Sequence, residues 1–377
     1  MFATRRSIQA MCPRSARQRD TFNARCPADL AGTYTIMAKV LVTGASGFIG
    51  AKLSERLVAR GDEVTCLVRP KSNRVALDPL GVHYAWGDVR DADAMRAAVA
   101  EAEVVFHLAG LASAFRAQDL MRVNCDGFRN VVSACADRDR PPVLVSVSSL
   151  AAAGPSPPGR ERTESDPAEP VSNYGRAKRA AELVAEQFAD RVPITIVRPP
   201  IVFGEGDTQM RNVFRSIFRY GVHVALGVAG SHYSLIHVDD LCDSLIACAA
   251  AGKRLAPAGT AQVTNPPQGY YFVAADEQPT FGELGILIGK SLGRQSVRVL
   301  KSKSTAGIWT AAAMAEGISR LRGQPYIFNF DKAREASAGN WVCSPQTIRR
   351  DLHVAPRVSV LDRLRQTSNW YLQKKWL

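Results

Sequence analysis

Lys39-Val-Leu-Val-Thr-Gly-Ala-Ser-Gly-Phe-Ile-Gly50 restricts what this chain can fold into more than any other stretch. Val40 to Val42 form an apolar run without polar alternation, which suits a strand of a parallel sheet covered on both faces. Three glycines follow at intervals of three. Gly44 permits a tight turn, Gly47 lets a pyrophosphate approach the backbone, and Gly50 lets the next helix pack closely on the sheet. The N–H groups that open such a helix have no partners within it and point at an anion. The spacing alone is a weak signal. Its setting, between a strand and a helix at 51–60 with a second strand at 63–68, makes it a dinucleotide-binding turn.

Strands at 82–86, 104–108 and 143–147 then alternate with helices at 92–100 and 118–138, which predicts an α/β fold built on a doubly wound parallel sheet. A helix from Tyr174 to about Phe188 and a buried strand at 194–197 continue the series. Beyond Pro200 the alternation loosens into Gly-rich turns, helices at 209–220 and 238–251, and a late strand at 270–274 expected to rejoin the sheet. The expected organisation is an extension over 1–36, a dinucleotide-binding domain over 37–200, and a mainly substrate-binding lobe over 201–377. A chain of 377 residues, 46% hydrophobic and 22% charged, can bury a core of that size.

Residues 1–36 carry Arg5, Arg6, Arg14, Arg17, Arg19 and Arg25 against only Asp20 and Asp29, with no apolar segment to make a secretory signal. Met37 stands directly before the first strand, so the extension reads as disordered or as lying upstream of the true start, in preference to an organelle transit peptide. The formal charge is +13, yet Lys and Arg are spread along the chain without an aromatic-basic recognition module, which argues against nucleic acid. That balance suits a polyanionic cofactor or peripheral contact with an anionic membrane surface. The apolar stretch 306–318 is too short for a transmembrane segment and contains Glu316. Eight cysteines show neither a C-x-x-C pair nor a neighbouring His cluster, so no metal site or disulfide framework is legible, and a reducing cytoplasm is the expected setting.

A chemistry emerges where the strand at 143–147 runs into Ser148-Ser149 and, after a Pro-rich loop, Tyr174-Gly-Arg-Ala-Lys178 opens a helix. Residues four apart share a helical face, so Tyr174 and Lys178 are neighbours. A free tyrosine, with pKa near ~10, is a poor base at neutral pH, and an adjacent ammonium lowers that value. Tyr174 is then placed to exchange a proton with a carbonyl or alcohol, with Ser149 holding the same oxygen. Alone, Tyr174 and Lys178 read as an ordinary exposed pair; downstream of the glycine turn they do not. Asp88, at the end of the third strand, either accepts from an adenine amino group or caps the helix that follows. Arg69 ends the second strand nineteen positions past Gly50, where NAD-preferring sheets carry a carboxylate for the ribose hydroxyls. A guanidinium fits a phosphate instead, so NADP is the expected cofactor, with NAD the alternative.

From Lys39 onward the chain resembles an extended short-chain dehydrogenase/reductase of the NAD-dependent epimerase/dehydratase superfamily, closest in character to 3β-hydroxysteroid dehydrogenase and dihydroflavonol-reductase-like members. The marks are T-G-A-S-G-F-I-G at 43–50, G-D-V at 87–89, H-L-A-G at 107–110, V-N at 123–124, S-x-x-x-x-G at 149–154, Y-G-R-A-K at 174–178, R-P-P at 198–200 and H-V-D-D at 237–240. The resemblance implies a Rossmann domain with a smaller C-terminal lobe, catalytic roles for Ser149, Tyr174 and Lys178, and support from Asn124. It implies a cofactor site made of Gly44, Ser46, Gly47, Phe48, Ile49, Gly50, Arg69, Asp88, Val89, Leu108, Ala109, Gly110, Tyr174, Lys178 and Pro199. Relatives acting on sugar nucleotides hold the diphosphate with an Asn and an Arg, where this chain has Ile201 and Tyr233. The expected reaction is therefore NADP-linked interconversion of a hydrophobic ketone and a secondary alcohol, steroid-, terpenoid- or acyl-like. The alternatives are a nucleotide-sugar epimerase or dehydratase that retains its cofactor, and a non-catalytic NADP-binding regulator, against which the intact Ser-Tyr-Lys set weighs. A homodimer is expected through the helices at 118–138 and 174–188.

Overall fold

Parallel strands joined by helices carry the fold of the computed structural model, which describes residues 37–225, 227–257, 267–301, 305–323 and 329–377; the expected extension over 1–36 lies outside the described residues. The strands are β1 (Lys39–Thr43), β2 (Glu63–Val68), β3 (His83–Trp86), β4 (Val104–His107), β5 (Val143–Val147), β6 (Ile194–Arg198), β7 (Ile201–Phe203), β8 (Val222–Ala225), β9 (Leu235–His237), β10 (Tyr270–Phe272) and β11 (Arg298–Lys301). The helices of the first half are α1 (Phe48–Ala59), α2 (Ala92–Val99), α3 (Ala117–Met121), α4 (Gly127–Ala136), α5 (Leu150–Ala153) and α6 (Asn173–Gln187). Those of the second half are α7 (Thr208–Tyr220), α8 (Val238–Ala251), α9 (Phe281–Ser291), α10 (Thr305–Arg322), α11 (Phe330–Ala336), α12 (Gln346–Leu352) and α13 (Val360–Gln373).

Seven strands form one parallel sheet in the order β10-β6-β5-β4-β1-β2-β3, with Val40 of β1 opposite Val64 of β2 on one side and Val104 of β4 on the other. The chain order reverses between β1 and β4, so the crevice at their carboxyl ends is where an open sheet of this kind takes a ligand. Alternate side chains of the apolar strands serve opposite faces. Val40 and Val42 pack with Leu53 and Leu57 of α1 and Leu241 and Leu245 of α8, while Leu41 packs with Phe128 and Val131 of α4 and Val184 of α6. The late strand joins the sheet beside β6, Tyr270 opposite Ile196.

The remaining elements cluster around a second core in which Phe214 and Ile217 of α7, Leu284 and Ile288 of α9, and Leu364 and Tyr371 of α13 meet. α10 and α11 pack through a small contact of Ile308, Ala312 and Ala333. The apolar segment 308–314 is therefore partly core and partly surface, since Met314 is two-thirds exposed. No helix among the described residues is long and apolar enough to cross a membrane. Glu205, His237 and Asp239 bring three groups of metal-binding type together. Both Asp239 oxygens are already paired, one with Arg56 and Lys52 and the other with Arg363, so this cluster is an ion-pair junction between α1, α8 and α13.

The continuous helix expected over 118–138 is interrupted. A single π turn over Arg122–Asp126 separates α3 from α4, and the Gly127 N–H reaches back five residues to Arg122 O. Gly127 permits the close approach, because a Cβ there would lie 2.8 Å from a Val89 methyl. The wide turn carries Asn124 inward to 2% exposure.

Beneath α6 lies a buried ion pair. Arg198 donates from Nε and a terminal nitrogen to the two Glu182 oxygens at 2.8 and 2.7 Å, and Ser148 donates to Glu182 at 2.6 Å. The guanidinium also stacks 4.4 Å from the centre of the Tyr270 ring, tying α6, β6 and β10 together. Burial pushes the Glu182 carboxyl up, but Arg198 and Ser148 hold it below the usual range. Its contribution to stability is present above the unfolded-state pKa and is lost as pH falls through the depressed folded value. Glu182→Gln strands the guanidinium and is expected to cost about 3 kcal/mol or more in urea unfolding. A loss below about 1 kcal/mol would show that the pair is replaceable.

Candidate active site

The turn after β1 is shaped by contacts that only glycine allows. Gly44 has φ +70°, and a Cβ on it would sit 2.6 Å from Ala109 N; one on Gly50 would sit 2.3 Å from Gly44 O. Gly47 is different, since its absent Cβ would meet protein only at Gly44 O, 3.2 Å away. Packing within the protein demands least of Gly47, so the requirement for glycine there points outward into the cleft. No side chain caps α1, so its first N–H groups are free for an anion.

That cleft, about 500 Å³, is lined by Gly44, Ser46, Gly47, Arg69, Asp88 and Val89, and on the β4 side by Leu108, Ala109 and Gly110. Phe48, Ile49 and Gly50 lie behind it in α1, where Phe48 and Ile49 pack on the core. Asp88 is not a helix cap. Asp91 caps α2 by accepting from Asp93 N and Ala94 N, while Asp88 is held by the Arg90 guanidinium through two bonds of 2.9 Å. Arg90 keeps the Asp88 carboxyl below the usual range despite partial burial. Arg69 is exposed on the rim, its N–H donating to Ser72 Oγ at 3.1 Å. An open glycine, an uncapped helix start and a cationic rim fit a dinucleotide.

The candidate proton-transfer residues gather near the carboxyl ends of β4 and β5. Ser149 caps α5, its hydroxyl accepting from Ala151 N at 3.1 Å, and the same side chain is close enough to the Tyr174 hydroxyl to favour its phenolate. Pro199, buried at the end of β6, accepts from Leu150 N at 2.8 Å and fixes the same turn. Asn124 clamps the strand exit by accepting from Leu111 N at 2.7 Å and donating to Leu111 O at 2.9 Å. Lys178 does not turn to Tyr174: its Nζ donates to Val147 O at 2.9 Å and lies 3.4 Å from where a Gly110 Cβ would be. The Lys178 ammonium is thus presented to the cleft side of the β4 exit. Burial lowers its pKa to about 8, offset by Glu182, so it remains charged at neutral pH. His107 beside it, bonded to Thr43 Oγ1 at 2.9 Å, is buried and neutral, pushed down to about 3 by burial and by Lys178.

The cation that does meet the tyrosine comes from the far end of the chain. Lys332 Nζ lies 5.4 Å from the centre of the Tyr174 ring and is paired with Glu335 at 2.6 Å. Burial raises the Tyr174 pKa, Lys332 and Ser149 oppose the rise, and Glu335 adds to it; the net shift is upward. Asp331 accepts from the first N–H groups of α6, Asn173 N at 2.7 Å and Tyr174 N at 3.0 Å. Asn329, which caps α11, donates to Ser113 Oγ at 3.1 Å on the rim of the cleft. None of the contacts from α11 to α6 and to the cleft rim was legible beforehand, because they join positions more than 150 residues apart. Arg90 was findable, two residues after Asp88 and directly behind the G-D-V motif.

The model of the NAD dependent epimerase/dehydratase family matches residues 40–262. Among characterised proteins, the chain is 30% identical over 338 residues to a ceramide reductase of Caulobacter vibrioides, covering 90% of this chain and 96% of the other. It is 29% identical to a 2-alkyl-3-oxoalkanoate reductase of Stenotrophomonas maltophilia, covering 87% and 98%. A dTDP-glucose 4,6-dehydratase from Streptomyces venezuelae, solved with NAD and TYD bound, shares the fold with TM-score 0.69 at 22% identity, over 89% of this chain and 98% of that one. The chain therefore belongs to the NAD-dependent epimerase/dehydratase family, as an extended short-chain dehydrogenase/reductase and an NAD(P)-dependent oxidoreductase.

Proposed function

We propose that this enzyme reduces a hydrophobic, steroid-, terpenoid- or acyl-like ketone to a secondary alcohol with NADPH. The observation that carries the reading is the placement of Tyr174 beside Ser149 at the exit of β5, with the Lys178 ammonium bonded to Val147 O of the same strand. When bound, reduced nicotinamide supplies the hydride that reaches the carbonyl carbon. Tyr174 gives its proton to the carbonyl oxygen, and Ser149 holds that oxygen by a hydrogen bond. Lys178 holds the ribose side of the site, and Lys332, the cation beside the ring, steadies the phenolate left behind. A tyrosine whose pKa is raised by burial is protonated at neutral pH, the form that donates to a carbonyl oxygen.

The substrate class is supported by Ile201 and Tyr233, which stand where diphosphate-holding polar residues would be. Tyr233 is half-buried against Phe281 and belongs to the apolar cluster around Trp341. Ceramide and oxoalkanoate reduction by relatives points the same way. The preference for NADP rests on Arg69, with Ser72 beside it and no carboxylate at the end of β2. The same reading includes a homodimer through α4 and α6, where Leu183 is half-exposed.

Tyr174→Phe removes the transferable proton while keeping the ring. Turnover is expected to fall roughly a hundred- to ten-thousand-fold, with cofactor affinity nearly unchanged. Wild-type-like turnover in the folded variant would refute the role. In wild type NADPH is expected to bind more tightly than NADH by fluorescence titration, and Arg69→Asp to reverse the order. Equal affinities would defeat the cofactor assignment. A clean monomer mass by light scattering at micromolar concentration would rule out the dimer.

A further inference from the structure

α10 is apolar on two opposite sides, and the fold covers one of them. Ile308 and Ala312 turn inward onto Ala333 of α11, and Trp309 meets Phe330. At 3.6 residues per turn, Met314, Ile318 and Leu321 fall together on the other side, at intervals of four and three. They are 67%, 49% and 90% exposed. Thr310, Ala313 and Gly317, also exposed, fill the same side, so a strip about three turns long carries no charge. A helix that is apolar all round is one that something covers on every side. Single exposed apolar residues are ordinary surface, but a row of them one helical turn apart marks an interaction surface.

The charges around the strip say what kind of partner fits. Arg320 and Arg322, both exposed, flank it in the last turn of α10. Glu316, the only acid of the helix, lies on the far side, largely buried and paired with Arg320 at 3.1 Å. β11, which leads into α10, repeats the combination: Leu300 stands opposite Val224 of β8, both exposed, with Arg298 and Lys301 exposed on the same strand. A second copy of α10 would bring the same cations and no free acid to meet them. Lipid phosphates over hydrocarbon supply both halves, and the chain carries a formal charge of +13. We propose that α10 docks this protein on an anionic lipid surface, with Met314, Ile318 and Leu321 set into the acyl boundary and Arg320 and Arg322 reaching the headgroup phosphates. The helix lies in the plane of the surface and does not cross it. Its inward side stays on α11, the segment that brings Lys332 to Tyr174, so the docked face is one helix away from the candidate active site. Docking of this kind does not depend on which ketone the site reduces.

The test is flotation of the full chain with vesicles rich in phosphatidylglycerol, against vesicles of phosphatidylcholine alone. Wild type is expected to float with the anionic vesicles and to be released progressively by salt. Met314→Ser/Ile318→Ser/Leu321→Ser should lower the partition coefficient about tenfold or more, and Arg320→Gln/Arg322→Gln about fivefold per charge. All five side chains are exposed, so the triple variant should keep the wild-type urea midpoint and NADPH affinity, which separates lost docking from lost folding. A triple variant that floats like wild type overturns the inference and assigns the binding to another basic segment, such as the arginines of residues 1–36. A wild type that does not float overturns it too, and a dimer by light scattering that the triple variant turns into a monomer would then name a second copy as the cover. Flotation as expected, with no ketone reduced, would keep the docking face and sink the proposed reaction alone.

Discussion

A carboxylate and a guanidinium with no water to share hold the helix that carries Tyr174 and Lys178 against the sheet. Glu182 lies two turns beyond Tyr174 on α6, and Arg198 closes β6, so their two parallel hydrogen bonds set both the distance and the rotation of the helix. Surface pairs of this kind are worth little, but here each partner is under 6% exposed and neither can be re-solvated in place. Rotation of α6 decides whether Lys178 reaches the β5 carbonyl and whether Tyr174 faces Ser149. The pair therefore governs the placement of Tyr174 and Lys178 from a distance.

The parallel sheet and its cofactor turn were legible because they are written in local signals. Buried strands read as unbroken apolar runs, and the spacing from Gly44 to Gly50 matches contacts that a Cβ would block. The interruption at Arg122–Asp126 was not legible, since an apolar periodicity carries through a single wide turn unchanged. The relation of Tyr174 to Lys178 was legible as shared helical spacing, but not in its detail. A long flexible stem takes whatever buried acceptor is near, here Val147 O, and spacing does not reveal it. The role of Asp88 was ambiguous for a similar reason: an acid before a helix reads as a cap until the true cap, Asp91, is seen three residues later.

The two halves of the chain contribute different kinds of information to one site. The sheet supplies a binding turn whose shape is dictated by backbone sterics, so it tolerates little change. The later helices supply side chains through fewer contacts: α11 rests on α10 by Ala333 against Ile308 and Ala312 and by Phe330 against Trp309, and reaches the sheet domain by hydrogen bonds. Substrate preference can shift in such a segment at low cost to the fold, because few core contacts would be lost.

The carboxylate of Asp331 sits where α6 begins and neutralises the positive end of that helix, and the neighbouring Lys332 faces the tyrosine one residue on. Both influences arrive on the same short segment and leave together. Displacing α11 to admit or release a ligand would strip α6 of its first-turn acceptor and Tyr174 of its cation in one movement. The charge at the start of α6 and the charge beside the Tyr174 ring are in this way set by one short segment.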